Sequence, residues 1–150
     1  MVNSIKLFID ADAFVAIQNK KDTNHAKALE ISNHVFRLKL RLITSDPAFG
    51  EAITVISQKA NLEKAVNFAE NILVSSIEIV EVDTVLRREG LEIFKKQTSK
   101  NTRFTDCINM AILQRERLRE IFSFDSDCKK NGFLRIGIDM PIGVLKENEI

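Results

Sequence analysis

The residues in this chain best suited to chemistry are carboxylates set where packing does not ask for them. Lys6-Leu7-Phe8-Ile9-Asp10-Ala11-Asp12 runs three apolar residues straight into an Asp-x-Asp pair. A short continuous apolar run reads as a strand buried on both faces, and carboxylates at its end are costly to bury without compensation. Asp125 follows a second such run, Ile121-Phe122-Ser123-Phe124, and Asp127 stands two residues further on. Glu51 borders the apolar arc Ala48, Ala52, Val55, Ile56 of a helix. Asp106 continues the inward line of Met110 and Leu113 on another helix. Each acid also has a plain structural reading. Asp106 could favour a helix N-terminus by about 0.3–1 kcal/mol, Glu51 could be solvated, and Asp125 could cap a turn.

Together these acids suit a hard cation. Several carboxylates at one sheet edge repel one another unless a cation binds or their pKa values rise. All-oxygen ligands suit Mg²⁺ or Mn²⁺, and neither histidine nor cysteine is placed to complete a zinc site. Asp10, Asp106 and Asp125 are the expected chief ligands, directly or through water. Glu51 would hold metal or orient the attacking water. Asp12 and Asp127 are supplementary acids, and Thr105 and Ser123 are candidate hydrogen-bond donors behind the ligands. Such a site supports in-line attack of water on a phosphodiester.

The surrounding elements explain how these residues converge. Strands are expected over 5–9, 42–45, 77–82, 121–124 and 133–138. Asp12 is read as the cap of a short helix over 13–18. A helix over 24–40 would bury Ala28, Leu29, Ser32, Val35 and Phe36. His25 and His34 fall in it without a ligand partner. Asp46-Pro47 opens the next helix, with Asp46 as cap. Asn61 opens another, with Leu62, Ala65, Val66, Ala69, Ile72 and Leu73 at helical spacing. Asp83 caps a helix reaching Gln97, interrupted by Gly90 at a cost of about 1 kcal/mol relative to Ala. Residues 98–103 form a polar connector. Thr105 is read as the cap of a helix over 106–119, and residues 128–131 as one helical turn stopped by Gly132. The tail, 139–150, is polar at its end. Strands alternating with helices mean a mainly parallel α/β sheet of four to five strands, with helices on both faces. Ligands bind such sheets beyond the carboxyl ends of the strands, where Asp10 and Asp125 stand.

Composition sets the remaining bounds. The 150 residues fit a single domain over 1–150, and the 45% hydrophobic content is enough for a core. No apolar run approaches the roughly 18 residues of a membrane span. Residues 1–6 carry no cleavable signal pattern, so a cytoplasmic protein is expected. Cys107 and Cys128 read as free thiols. The net charge of +1 does not announce a nucleic-acid binder. Committing several acids to metal would leave a basic remainder, including Arg37 to Arg41, Arg87-Arg88 and Arg115 to Arg119.

On these residues the chain resembles the PIN-domain ribonucleases, especially the small VapC-type toxins of toxin–antitoxin operons. The resemblance rests on Leu7-Phe8-Ile9-Asp10, on Thr44-Ser45-Asp46 followed by Glu51-Ala52, on Phe104-Thr105-Asp106, and on Ser123-Phe124-Asp125-Ser126-Asp127 before Gly132-Phe133. It covers nearly the whole length. It implies a three-layer α/β/α fold, Mg²⁺ or Mn²⁺, endonucleolytic cleavage of RNA, a homodimer, and a cognate antitoxin. It maps the family's four acids onto Asp10, Glu51, Asp106 and Asp125. Two positions depart from the pattern: Ala11 replaces a common Thr, and Asp12 replaces a common Ser or Asn.

Two other readings share some of these features. A haloacid-dehalogenase-type phosphatase would use Asp10 as nucleophile, but Phe14 stands where that family usually has Thr or Val, and Glu51 would have no role. A non-catalytic PIN-like RNA-binding module would keep the fold without the chemistry.

Overall fold

The computed structural model describes residues 5–144. Five strands, β1 (Lys6–Ile9), β2 (Arg41–Ser45), β3 (Glu78–Val80), β4 (Glu120–Phe122) and β5 (Leu134–Arg135), form one sheet in the order β3-β2-β1-β4-β5. Every pairing between them is parallel. β1 is central and runs Leu7, Phe8 and Ile9 through the core, which is why it carries no polar alternation. The chain builds outward from β1 to β3 on one side, then returns to place β4 and β5 on the other. The order therefore reverses beside β1, and a crevice opens at the carboxyl ends of β1 and β4.

The connections are α1 (Ala11–Gln18), α2 (His25–Leu38), α3 (Asp46–Lys59), α4 (Leu62–Val74), α5 (Thr84–Lys95), α6 (Phe104–Arg115) and α7 (Asp127–Lys130). A short 3₁₀ turn spans Ile142–Val144. α1 packs on α2 and α3, α3 on α4, and α5 on α6. Right-handed crossovers put α1 to α4 on one face of the sheet and α5 with α6 on the other. The result is the expected three-layer α/β arrangement.

Several element ends differ from the sequence expectations. α1 begins at Ala11, and Asp10 rather than Asp12 caps it, accepting a hydrogen bond from the Ala11 amide at 2.8 Å. Ser45, not Asp46, caps α3, through the Ala48 amide at 3.1 Å. α6 starts at Phe104, so Thr105 lies inside its first turn and caps nothing. It also stops at Arg115, four residues early. Arg117 takes a left-handed conformation, φ 57°, and the Leu118 amide reaches back to the Leu113 carbonyl at 2.8 Å. That Schellman-type closure turns the chain toward β4.

α2 buries Ala28, Ile31 and Val35, while Phe36 is 84% exposed. α4 buries Ala65, Phe68 and Ile72, leaving Leu62, Val66 and Leu73 exposed. β5 is only two residues long, because Gly137 (φ +76°) turns the chain back and Ile136 then bridges to Met140. Asn61 and Asp83 cap α4 and α5 as expected. Of the polar tail, residues 145–150 lie outside the described residues.

Candidate active site

The site begins with β1 delivering Asp10 to the crevice. Asp10 is 8% exposed, and its two oxygens are engaged differently. One takes the Ala11 amide, and the other accepts from the Ser123 hydroxyl at 3.1 Å. In the first turn of α1, the Oδ2 of Asp12 accepts from the Phe124 amide at 3.0 Å and stands 3.3 Å from the same Ser123 hydroxyl. The Oδ1 of Asp12 is buried and has no hydrogen-bond partner.

β4 and the turn after it supply the other half. Ser123 is buried at the end of β4 and accepts from the Asp125 amide at 3.1 Å. Asp125 in turn accepts from the Asp127 amide at 2.9 Å, which shapes the turn into α7. The Phe124 peptide is held from both sides. Asp12 takes its amide, and the Arg135 guanidinium donates to its carbonyl at 3.1 Å. Arg135 is itself fixed by Asp139 through a two-pronged contact, 2.9 and 3.1 Å, and this pair holds the Asp139 carboxyl down at about 2.

The two remaining acids come from helices. Asp106 is in the first turn of α6 and Glu51 is one turn inside α3. Glu51 is paired with Arg103, the residue at the N-terminal boundary of α6. Below them Ser45 donates to the Asn109 side chain at 2.5 Å, and Thr44 donates to the Ile9 carbonyl at 2.8 Å. These buried bonds tie the end of β2 to α6 and β1.

All six acids, Asp10, Asp12, Glu51, Asp106, Asp125 and Asp127, line one cavity of about 570 Å³. Asp22, Lys59 and Arg103 also border it. Thr105 is exposed and does not line it; Ser123 does not line it either, but donates to Asp10, which does.

The electrostatics record the crowding. Burial, and then the neighbouring Asp12, push the Asp10 carboxyl well above its ordinary range. Burial is also the first cause for Asp12, with Asp125 adding to it. Asp106 is pushed up to about 7 by burial, then by Asp10, Asp125 and Glu51. Helix N-termini favour the ionised acids of their first turns by about 0.3–1 kcal/mol each, and here desolvation outweighs them. Cys128, against Ser123, is pushed up to about 12 by burial and is not a thiolate.

These residues fit a divalent cation in chemistry. The donors are hard oxygens, and the orphaned Asp12 Oδ1 wants a positive partner. The single Ser123 hydrogen lies within reach of both Asp10 and Asp12, and a cation beside them would satisfy what it leaves open. As the side chains lie, no three acids among the described residues are already drawn into a coordination sphere. Glu51 in particular is turned to Arg103.

Sequence reasoning missed Arg103, Asn109 and the Arg135–Asp139 pair. Asn109 carried a signal, as a polar residue inside the apolar run from Cys107 to Leu113 and three positions after Asp106. Arg103 was assigned only to a polar connector.

Residues 7–134 match the PIN domain family, and the chain belongs to it. Among solved structures, that of VapC20 from Mycobacterium tuberculosis, a toxin that cleaves the sarcin-ricin loop, superposes with a TM-score of 0.77 at 21% identity. The match covers 87% of this chain and 98% of that one. VapBC2 from Rickettsia felis, solved bound to a DNA fragment from its promoter, matches with a TM-score of 0.61 at 14% identity, over 88% and 98% of the two chains. No curated protein matches the sequence.

Proposed function

We propose that this chain is a metal-dependent endoribonuclease of VapC type, the toxin of a toxin–antitoxin pair. The observation that carries the reading is the single cavity lined by Asp10, Glu51, Asp106 and Asp125, with the unpartnered Asp12 oxygen beside them. Asp10, Asp106 and Asp125 are the ligands of Mg²⁺ or Mn²⁺, and Glu51 is a further ligand or the residue that orients the attacking water. Bound there, the cation supplies charge neutralisation at the phosphate and activation of the attacking water.

The chain's own residues do the positioning. Ser123 fixes Asp10 and Asp12, while Asp12 and Arg135 fix the peptide that precedes Asp125. Asp127 borders the cavity as a supplementary acid, and Lys59 and Arg103 stand at its edge with the charge an RNA backbone needs. The VapBC2 neighbour supports an antitoxin partner and the VapC20 neighbour an RNA substrate; the reading further takes the chain as a single domain that acts as a homodimer in the cytoplasm. No helix among the described residues is long and apolar enough to cross a membrane. The phosphatase alternative is not favoured, because residues 7–134 match the PIN domain family.

Incubation of the protein with structured RNAs, with and without Mg²⁺ or Mn²⁺, tests the reading. Cleavage should require the metal. Asp106→Asn should reduce it by at least about a hundredfold, the scale of removing a group that acts in the transition state, while circular dichroism stays native. Metal-independent cleavage, or full activity in the variant, would refute the proposed site. Metal binding with no cleavage of any RNA would favour the non-catalytic module.

A further inference from the structure

The contact between Arg103 and Glu51 joins the two sides of the cavity mouth. Arg103 precedes the first residue of α6 and is 68% exposed; Glu51 belongs to α3 and is 33% exposed. Three observations make this more than a surface ion pair. Both residues line the same cavity as Asp10, Asp106 and Asp125. Among the described residues, Arg103 and Lys59 are the two cationic side chains that line it. And the guanidinium takes up one of the four acids on which the proposed site depends, while no three acids among the described residues are yet drawn together.

We propose that Arg103 holds Glu51 until a divalent cation claims that carboxylate, and that the released guanidinium then binds the phosphate of the RNA. The inference rests on the nuclease reading and adds a residue to it. The physical argument is one of exchanged partners. A carboxylate shared between a guanidinium and a dication goes to the dication, whose charge is doubled and compact, once neighbouring acids complete the oxygen set. Arg103 then loses its partner at the edge of a cavity into which a phosphodiester must enter. Its planar fork matches two phosphate oxygens, and such contacts are among the stronger hydrogen bonds. Before metal arrives, the Arg103 charge partly offsets what Glu51 adds at the half-buried Asp106 carboxylate. It also couples the two ligands. Metal frees the phosphate-binding group, and phosphate keeps Arg103 from returning to Glu51.

Four proteins test this: the parent, Arg103→Gln, Glu51→Gln and the double variant. Mn²⁺ binding is measured by calorimetry without RNA. Binding of a short fluorescein-labelled 2′-O-methyl RNA is measured by anisotropy in saturating Mn²⁺ at fixed salt. Arg103→Gln should bind Mn²⁺ roughly two- to fivefold more tightly, because the competing half-exposed ion pair is gone. The same variant should bind the RNA probe about tenfold more weakly. In the Glu51→Gln background the gain in Mn²⁺ affinity should vanish, while the loss of RNA affinity should remain.

A residue serving only the fold would weaken both ligands, and that result overturns the proposal. So does an equal gain in Mn²⁺ affinity in the Glu51→Gln background, which would make Arg103 a distant charge. RNA affinity unchanged in Arg103→Gln overturns the phosphate contact. A parent that binds Mn²⁺ normally while Arg103→Gln binds it no more tightly overturns the exchange and leaves the nuclease reading standing. A parent that binds no Mn²⁺ overturns both.

Discussion

Ser123 has one hydroxyl hydrogen and two carboxylates within its reach. Its oxygen also accepts from the Asp125 amide and stands 3.7 Å from the Cys128 thiol. One small side chain thus sets Asp10, Asp12 and Asp125 relative to each other. Ser123→Ala leaves the half-buried Asp125 amide without this acceptor and Asp10 without this donor. It should cost about 1–3 kcal/mol of stability and reduce any metal-dependent cleavage. Urea melts of metal-free protein check the first claim, and parent-like stability would show that the hydroxyl orders nothing. The acids themselves were legible in the sequence, because a carboxylate at the end of an apolar strand has few bland explanations. Their helpers were not. Arg103 meets Glu51 across 52 positions and Asn109 meets Ser45 across 64, distances over which spacing carries no periodic signal.

α5 and α6 pack more closely than side chains on both would permit. A methyl group added at Gly90 would stand 2.7 Å from the Cδ1 of Ile108, in the first turns of the helix that carries Asp106. The glycine that interrupts α5 is therefore a point of close helix approach, a reason the sequence alone did not supply. Gly90→Ala gains about 1 kcal/mol of helix propensity but must push a buried methyl aside, at about 1–3 kcal/mol. The net effect should be a modest loss. Ile108→Val removes the offending Cδ1 and costs about 0.5–1.5 kcal/mol alone. In the double variant the two should couple favourably, with combined destabilisation clearly below the sum. Thermal melts of the four proteins decide this, and strict additivity would mean that the helices do not meet there. Element types were readable from periodicity in the same way, but ends and faces were less so. Ser45 and Asp46 are both good caps, and the choice fell to Ser45 because β2 stays in register with β3 through that residue. α2 and α4 each carry more apolar residues than one face holds. Packing of Phe68 on Phe14, with rings 5.2 Å apart, turned α4 onto the face that leaves Leu62, Val66 and Leu73 outside.

At the scale of the molecule, the parallel sheet gathers charge at one edge. β1 and β4 lie side by side, so whatever ends them meets in one crevice, and α3 and α6 add their own acids to it. A fold that concentrates carboxylates this way should be less stable without metal than with it, and the deficit should depend on pH. Asp106 ordinarily titrates at 3.8 and here at about 7. A folded pKa above the unfolded value means that the native state binds the proton more tightly. The corresponding stability is fully present below about pH 4 and is lost as pH rises toward about 7. Asp10 and Asp12 are shifted in the same direction and add to the slope. Metal-free protein should therefore melt at progressively lower temperature across this interval, other titrating groups aside. Asp106→Asn carries no charge there to lose, so the melting temperature of the variant relative to the parent should rise with pH and exceed it near neutrality. Mg²⁺ or Mn²⁺ should act in the opposite sense. By binding the ionised native state, either ion should raise the parent's melting temperature most at neutral pH, and by less in Asp10→Asn or Asp125→Asn. Scanning calorimetry from about pH 4 to about pH 8, with chelator and with each metal, gives both comparisons. If Asp106→Asn melts well below the metal-free parent at neutral pH, the carboxylate is held by the fold for its own stability. The crowding that defines the proposed metal site would then not be the force that shapes this edge of the sheet.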